Sequence, residues 1–345
     1  MKSKLFVART SYLLAGLAGA ALVISACSEP APPPPPPPPP TPTAQAKVDW
    51  YKQCWDHFNN KAWDQFQNCY TDNAVSESVD STPPSVTGRT AIIDRGKMEA
   101  GAFPDRRGEV RLMLVNGDHM ASVALYTGTN TGEMPGPDGK PMKPTGKAIG
   151  LLFGHVVDLD STGTKATRDA GYIEEGTMMA QLGLSKAPAR AAEKASGAAP
   201  VIVIAKNDAT ESANMAGNRA GFDAFNKHDL KAMEAYTADN YKLVEIGQAK
   251  DLNKKEALAS MKDMFSGFPD VALTTPTMWA AGDYVVTEGT LTGTNTGDLK
   301  AMGVKKTGKK VSARFLQICR YENGKVAEEW LFYNGAAFAA QLGLK

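Results

Sequence analysis

Four histidines (His57, His119, His155, His228) and four cysteines (Cys27, Cys54, Cys69, Cys319) are the side chains best suited to metal binding or nucleophilic chemistry. The histidines are scattered without metal-ligand spacing, so no zinc or other metal site is expected. Lys and Arg total 38 against 37 Asp and Glu, for a formal charge of +1. The two signs are interspersed and form no basic stripe, which argues against nucleic-acid binding. Cys54 and Cys69 are candidates for a disulfide between two neighbouring helices in an oxidising compartment. Cys319 is then left over as a small buried apolar residue.

The N-terminus bears on where such chemistry would occur. Lys2, Lys4 and Arg9 precede an apolar run, Tyr12 to Ile24, that ends in Ile24-Ser25-Ala26-Cys27. A positive start, an apolar stretch and small residues at a cut read as a secretory signal peptide over 1–26. The Cys directly after the small residues makes Cys27 the expected lipidation site. The mature protein would then be anchored to a membrane by lipid rather than spanning it. Ser28, not Asp, follows the Cys, which points to the outer membrane of the cell envelope. Nine prolines, Pro32–Pro40, come next. At about 3.1 Å per residue they form a stiff spacer of roughly 28 Å. The segment 27–47 is therefore a lipidated Cys plus a proline-rich linker.

The hexapeptide Thr-Gly-Thr-Asn-Thr-Gly occurs at Thr127–Gly132 and again at Thr292–Gly297, with starts 292 − 127 = 165 residues apart. Phe103-Pro104-Asp105 answers Phe268-Pro269-Asp270, and Gly117-Asp118 answers Gly282-Asp283, both at 165. Thr145-Gly146-Lys147 matches Thr307-Gly308-Lys309 at 162, and the tails Gln181–Leu184 and Gln341–Leu344 match at 160. Landmarks that keep their order over a whole domain length mark a duplication. The expected organisation is domain 1 over 48–184, an Ala/Pro-rich linker over 185–207 and domain 2 over 208–345.

Copy two shows the elements best. Residues 212–227 carry apolar residues at helical spacing, and Asp229 can cap a short helix to about Tyr236. Asn253 with Glu256 reads as a capping box before a helix that ends at Gly267. Val271–Ala280 with Tyr284–Thr294, and Lys310–Tyr321 with Lys325–Tyr333, read as hairpins. Helices followed by a meander of strands give the fold class α+β. His155 and Gln317 occupy equivalent strand positions, each eight residues after the Lys of Thr-Gly-Lys. Trp330, Phe332 and Asn334 share one face of their strand.

The ordered set resembles the SnoaL-like polyketide cyclase family, a branch of the nuclear-transport-factor-2-like fold. Copy two carries Gly282-Asp283, Gly293–Gly297, Thr307-Gly308-Lys309, Gly324–Trp330 and Gln341-Leu342-Gly343. Copy one carries all but the Trp hairpin, where Asp160–Asp169 is degenerate. The resemblance implies two tandem cone-shaped domains, each with N-terminal helices packed on a curved antiparallel sheet around an apolar pocket. It also implies pairing of such domains, within the chain or as a homodimer. Family cyclases work without a cofactor, using a pocket Asp seven residues before the Gln of Gln-Leu-Gly. That position is Glu174 in copy one and Asn334 in copy two, and Asn334 cannot act as a base. The family's Gly-Thr-His becomes Gly-Thr-Asn at Asn130 and Asn295. Where many members carry an arginine, this chain has Val123 and Glu288.

His155 with Glu174 is thus the candidate acid/base pair, in copy one. Glu288, Gln317, Trp330, Phe332 and Asn334, with Asn130 and Asn295, are candidate ligand contacts. Plainer roles stand beside each. His155 can be a hydrogen-bonded core histidine, Glu174 and Glu288 outward charges, the tryptophans core, and the asparagines turn residues. Three functions compete: a lipid-anchored binder of a small lipophilic molecule, a cofactor-free aldol cyclase or ketone isomerase, and a non-catalytic envelope scaffold using open sheet faces.

Overall fold

The order of elements in the computed structural model follows from the duplication. The model describes residues 42–136, 140–301 and 303–344. The expected signal peptide over 1–26, Cys27 and the proline run lie outside the described residues. Domain 1 runs α1 (Ala44–Asn59), α2 (Trp63–Phe66), a 3-10 turn (Gln67–Cys69), β1 (Tyr70–Ser78), β2 (Ser85–Thr87), α3 (Arg89–Ala102), β3 (Arg107–Asn116) and β4 (His119–Thr129). A short hairpin follows, β5 (Met134–Pro135) with β6 (Pro141–Met142), then β7 (Ala148–Leu159), β8 (Ala166–Tyr172) and α4 (Glu175–Gln181). After β9 (Val201–Ile204), domain 2 repeats the plan: α5 (Ala209–Asn226), α6 (Leu230–Tyr236), β10 (Thr237–Glu245), β11 (Leu252–Asn253) and α7 (Lys254–Gly267). It closes with β12 (Ala272–Ala281), β13 (Tyr284–Thr294), β14 (Lys310–Glu322), β15 (Lys325–Phe332) and α8 (Gly335–Leu342).

The sheet orders are β2-β1-β8-β7-β4-β3-β9 and β11-β10-β15-β14-β13-β12, the same arrangement twice. Local signals act where expected. Asp229 accepts from Ala232 N at the start of α6, and Asn253 and Glu256 form the capping box of α7. The sheets are not purely antiparallel: β1 runs parallel to β8, and β10 to β15. Those pairs are far apart in sequence, so no tight turn dictates their direction. The linker also does more than connect, because β9 adds a parallel edge strand beside β3.

The repeated hexapeptide is a structural lock. Asp105 accepts from the Thr129 backbone N and hydroxyl at 2.6 and 2.7 Å, and Asp270 does the same for Thr294. Asn130, fully buried, donates to Ala102 O at the end of α3 and accepts from Thr145 N. Asn295 repeats this with Gly267 O and Thr307 N. The three repeated landmarks (Phe-Pro-Asp, Thr-Gly-Thr-Asn-Thr-Gly and Thr-Gly-Lys) are thereby tied into one knot per domain. Asn130 and Asn295 have their amides committed to backbone, so they are turn anchors rather than ligand contacts.

Each sheet has two faces, as period-2 alternation requires. In domain 1, Met113, Val115, Met120 and Val157 face helix α1 through Val48, Tyr51 and Cys54. The alternate residues Leu112, Leu114, Ala121, Val123 and Val156 pack instead on Trp279, Val286, Leu316, Ile318 and Phe332 of domain 2. The approach is close at Gly154, where a Cβ would fall 2.6 Å from Leu316 Cδ2. Arg168 clamps the seam: it meets Glu288 with both terminal nitrogens at 2.6 and 3.0 Å and reaches Glu77 at 2.8 Å. Tyr172 adds its hydroxyl to Glu288 at 2.7 Å. The sheet faces that a scaffold would offer are therefore covered by each other.

Candidate functional site

Domain 1 encloses a cavity between α1, α3 and the inner sheet face. It leaves about 130 Å³ open to the centres of water-sized molecules. Its wall is largely aromatic, including Trp50, Trp55, Phe58, Phe66, Tyr126 and Phe153. Aromatic side chains bury large apolar areas and leave flat faces for a ligand. The Cys54–Cys69 disulfide, joining α1 to the 3-10 turn, forms part of the same wall.

One chain of polar groups crosses this wall. Tyr70 donates to Asp169 Oδ2 at 2.6 Å, and Asp169 Oδ1 lies 2.6 Å from His155 Nε2. His155 Nδ1 is 2.6 Å from the Tyr51 hydroxyl, which is 2.8 Å from Ser122 Oγ. The positions follow from strand register. Ser122 on β4 pairs with His155 on β7, and Asp169 on β8 lies one inward residue along from Gly171, the partner of His155. Burial pushes the Asp169 carboxyl up, but His155 and the Tyr70 hydroxyl outweigh it, so the group sits below the usual carboxylate range. Burial raises the Tyr51 and Tyr70 hydroxyls far above neutrality, so both stay protonated.

His155 thus lies in the cavity, but its carboxylate partner is Asp169, not Glu174. Glu174 caps α4, accepting from Gly176 N at 3.0 Å and from Thr177 N, and it does not line this cavity. Asn334 caps α8 in the same way, accepting from Ala337 N and donating to Asp80 O across the seam. Glu288 pairs in register with Leu316, and Trp330 and Phe332 pair with Ile318 and Leu316. Cross-strand partners share a face. These three residues therefore belong to the interdomain face, with Glu288 on Arg168 and Trp330 stacked near Tyr284 at 6.4 Å. Gln317 pairs with Thr287 and Leu331 and points the opposite way, into domain 2. The set of contacts expected for one pocket is divided between two faces.

Among the described residues, domain 2 carries the matching polar chain with the Tyr236 ring packed beside it. Gln317 stands for His155 and donates to Glu329 at 2.8 Å; Glu329 stands for Asp169 and also accepts from Tyr241 at 2.7 Å. Asn218 replaces Tyr51 and donates to Thr287 at 2.9 Å. Tyr236 and Tyr321 meet hydroxyl to hydroxyl at 2.5 Å, and Tyr236 donates to Asn218 Oδ1 at 2.6 Å. Counting back six residues from the helix caps Asn60 and Lys227, Cys54 corresponds to Gly221. Cys69 and Tyr236 each stand directly before the first residue of β1 and β10. A Cβ on Gly221 would lie 2.9 Å from the Tyr236 ring. A tyrosine laid on a glycine fills in domain 2 what the compact disulfide leaves open in domain 1.

Asp169, Tyr51 and Tyr70 were missed from sequence because Asp169 lies in the stretch that lacks the Trp hairpin signature. The usable signal was the tail offset: Asp169 precedes Glu329 by 329 − 169 = 160 residues, like the two Gln-Leu-Gly ends. Among the described residues, no group of His, Cys, Asp and Glu is placed to hold a metal ion. No described helix is long and apolar enough to cross a membrane.

Solved structures with similar folds include AclR from Streptomyces galilaeus, at 25% identity and a TM-score of 0.36, covering 39% of this chain and 97% of that one. IdmH from Streptomyces antibioticus matches at 22% identity and a TM-score of 0.34, over 38% and 99%. A SnoaL-like protein from a Jannaschia species matches at 19% and 0.38, over 41% and 98%. No curated protein matches this chain. The model of the SnoaL-like polyketide cyclase family matches residues 45–182 and again 218–342. With two matched segments that together span most of its length, the chain belongs to the SnoaL-like polyketide cyclase family.

Proposed function

We propose that this protein binds a small, largely apolar molecule in the domain 1 cavity, while domain 2 supports domain 1 through the shared sheet seam. The observation that carries the reading is the aromatic cavity with one buried polar chain along its wall. Pockets of that make-up take apolar ligands and orient them by a few polar groups. The signal peptide expected over 1–26, the lipidation expected at Cys27 and the proline run support a place on a membrane of the cell envelope.

Native mass spectrometry of the protein from its own host, before and after denaturation, tests the binding. Release of a small apolar molecule supports it. Apo protein that also fails to take up any of a panel of aromatic ketones removes it. For the anchor, Cys27→Ala should move the protein from the membrane fraction to the soluble one. An unchanged distribution would exclude lipidation at that residue.

The Asp169–His155 pair favours a second reading, acid–base catalysis on the bound molecule. His155 Nε2 is held by Asp169 and Nδ1 by the Tyr51 hydroxyl, so the imidazole acts through Tyr51: the Tyr51 oxygen takes a proton from the carbon beside a carbonyl as its own proton passes to Nδ1. His155→Gln places in domain 1 the residue that domain 2 already carries. That variant should keep ligand binding and lose turnover of an enolisable ketone by about a hundredfold. Equal turnover would exclude His155 from the chemistry.

A further inference from the structure

Building on that reading of the domain 1 cavity, we propose that Arg95 anchors an anionic oxygen of the ligand, so that the cavity takes aromatic or alicyclic acids in preference to neutral molecules. Arg95 lies on α3 and lines the cavity. Its hydrogen bonds among the described residues go to neutral oxygens on β1: Ser76 O at 3.3 Å, Ser78 Oγ at 3.4 Å, and Ser76 Oγ.

The carboxylates around the cavity are already committed. Glu99 pairs with Arg106 at 3.1 Å. Glu77 is held by Arg168 at 2.8 Å and by Arg314 at 2.5 Å. Asp169 is held by His155 and Tyr70. Each carboxylate has its own donor set; Asp169 and Glu99 feel the charge of Arg95, but among the described residues Arg95 forms no direct ion pair with either.

A guanidinium in such a place presents a planar fork of N–H donors suited to a carboxylate or an enolate. The Ser76 and Ser78 contacts fix two of its nitrogens and so its orientation. Arg95 and the cavity also occur together in one copy only. Seven residues after the helix cap, Gly88 in α3 and Asn253 in α7, stand Arg95 and Ser260 respectively. The filled domain has no cation at the equivalent place.

The test uses 2-naphthoate and its neutral methyl ester, titrated into the full-length protein by calorimetry. The acid should bind about tenfold or more tighter than the ester, the gain expected from one charge-assisted contact. Arg95→Met should erase that preference, and Arg95→Lys should retain part of it. Equal affinity of acid and ester for the unmodified protein overturns the proposal without any variant. A preference that survives Arg95→Met also overturns it. If neither probe binds, both this proposal and the cavity-binding reading fall; if only the preference is absent, the cavity reading stands alone.

Discussion

Replacing Asp169 with Asn tests the polar chain at its centre. The carboxylate accepts two short hydrogen bonds, from Tyr70 and at His155 Nε2, both at 2.6 Å. Asn keeps the shape and one acceptor, so one contact survives as a neutral bond. The other loses its acceptor, since the amide nitrogen only donates, and hydrogen bonds to charged groups contribute about 1.5–3 kcal/mol. Asp169→Asn should therefore lower unfolding free energy by about 2 kcal/mol at pH 7. The pH dependence separates this from a packing effect. His155, Tyr70 and Arg95 face the carboxyl, and the first two hold it below its unfolded value of about 3.9. A depressed carboxyl stabilises above the unfolded pKa and loses that contribution as pH falls through the folded one. The gap between parent and variant should be full at pH 7 and close below about pH 4. Urea denaturation followed by tryptophan fluorescence reads it, since Trp50 and Trp55 lie in the same wall. Equal stability at pH 7, or a gap that persists undiminished into acid, would refute the account of the Asp169–His155 pair.

Glu329 is the counterpart of Asp169, and burial raises its carboxyl beyond what Tyr241 and Gln317 lower it. Glu329→Gln should change the urea midpoint by less than about 1 kcal/mol equivalent at pH 7, because no cation is lost; a loss as large as that of Asp169→Asn would contradict the contrast. Removing the Cys54–Cys69 bridge, which spans a separation of 15 residues, by a double Ala substitution should cost about 3 kcal/mol in the same assay, and a cost under about 1 would show the cavity wall does not need it. Glu288→Gln weakens the two-point contact with Arg168 and keeps an acceptor for Tyr172. Arg168 retains Glu77 and Asp158, so the expected loss is about 1–2 kcal/mol, and a neutral result would mark the seam as held by its apolar residues alone.

The duplication, the helix caps and the hairpins were legible because each rests on local chemistry. Asn253 and Glu256 bond to backbone within four residues of themselves, and an Asn-Gly turn needs no distant partner. The site was less legible because it depends on which face of a strand turns inward. Trp330, Phe332 and Gln317 all sit at alternating positions, but alternation alone does not say that Gln317 faces the helices and Trp330 the other domain. That choice is made by register with β13 and β14 and by the second sheet covering the outer face. The repeated Asn130 and Asn295 mislead for a related reason. Buried polar residues in a repeated motif look like ligand contacts, yet here each amide closes a loop on the end of a helix.

Why one copy is open and the other closed comes down to a few paired positions. Where domain 1 has Cys54 and Cys69, domain 2 has Gly221 and Tyr236. A disulfide holds two backbone segments together with two sulfur atoms and leaves the space beyond them empty. A tyrosine over a glycine holds the same segments by filling that space, and its hydroxyl then needs the partners that Asn218 and Tyr321 supply. The polar chain changes accordingly. His155 against Asp169 gives an ionisable pair at a cavity wall, and Gln317 against Glu329 gives a hydrogen bond in a packed interior. The equivalent carboxylates are displaced in opposite directions, Asp169 down and Glu329 up, because the imidazole is present in one domain and absent in the other. Both copies kept the outer sheet face, since each needs the other's to bury it. The two copies thus share one plan and differ inside: a tyrosine packs on a glycine in domain 2, and a disulfide borders a cavity with its polar chain in domain 1.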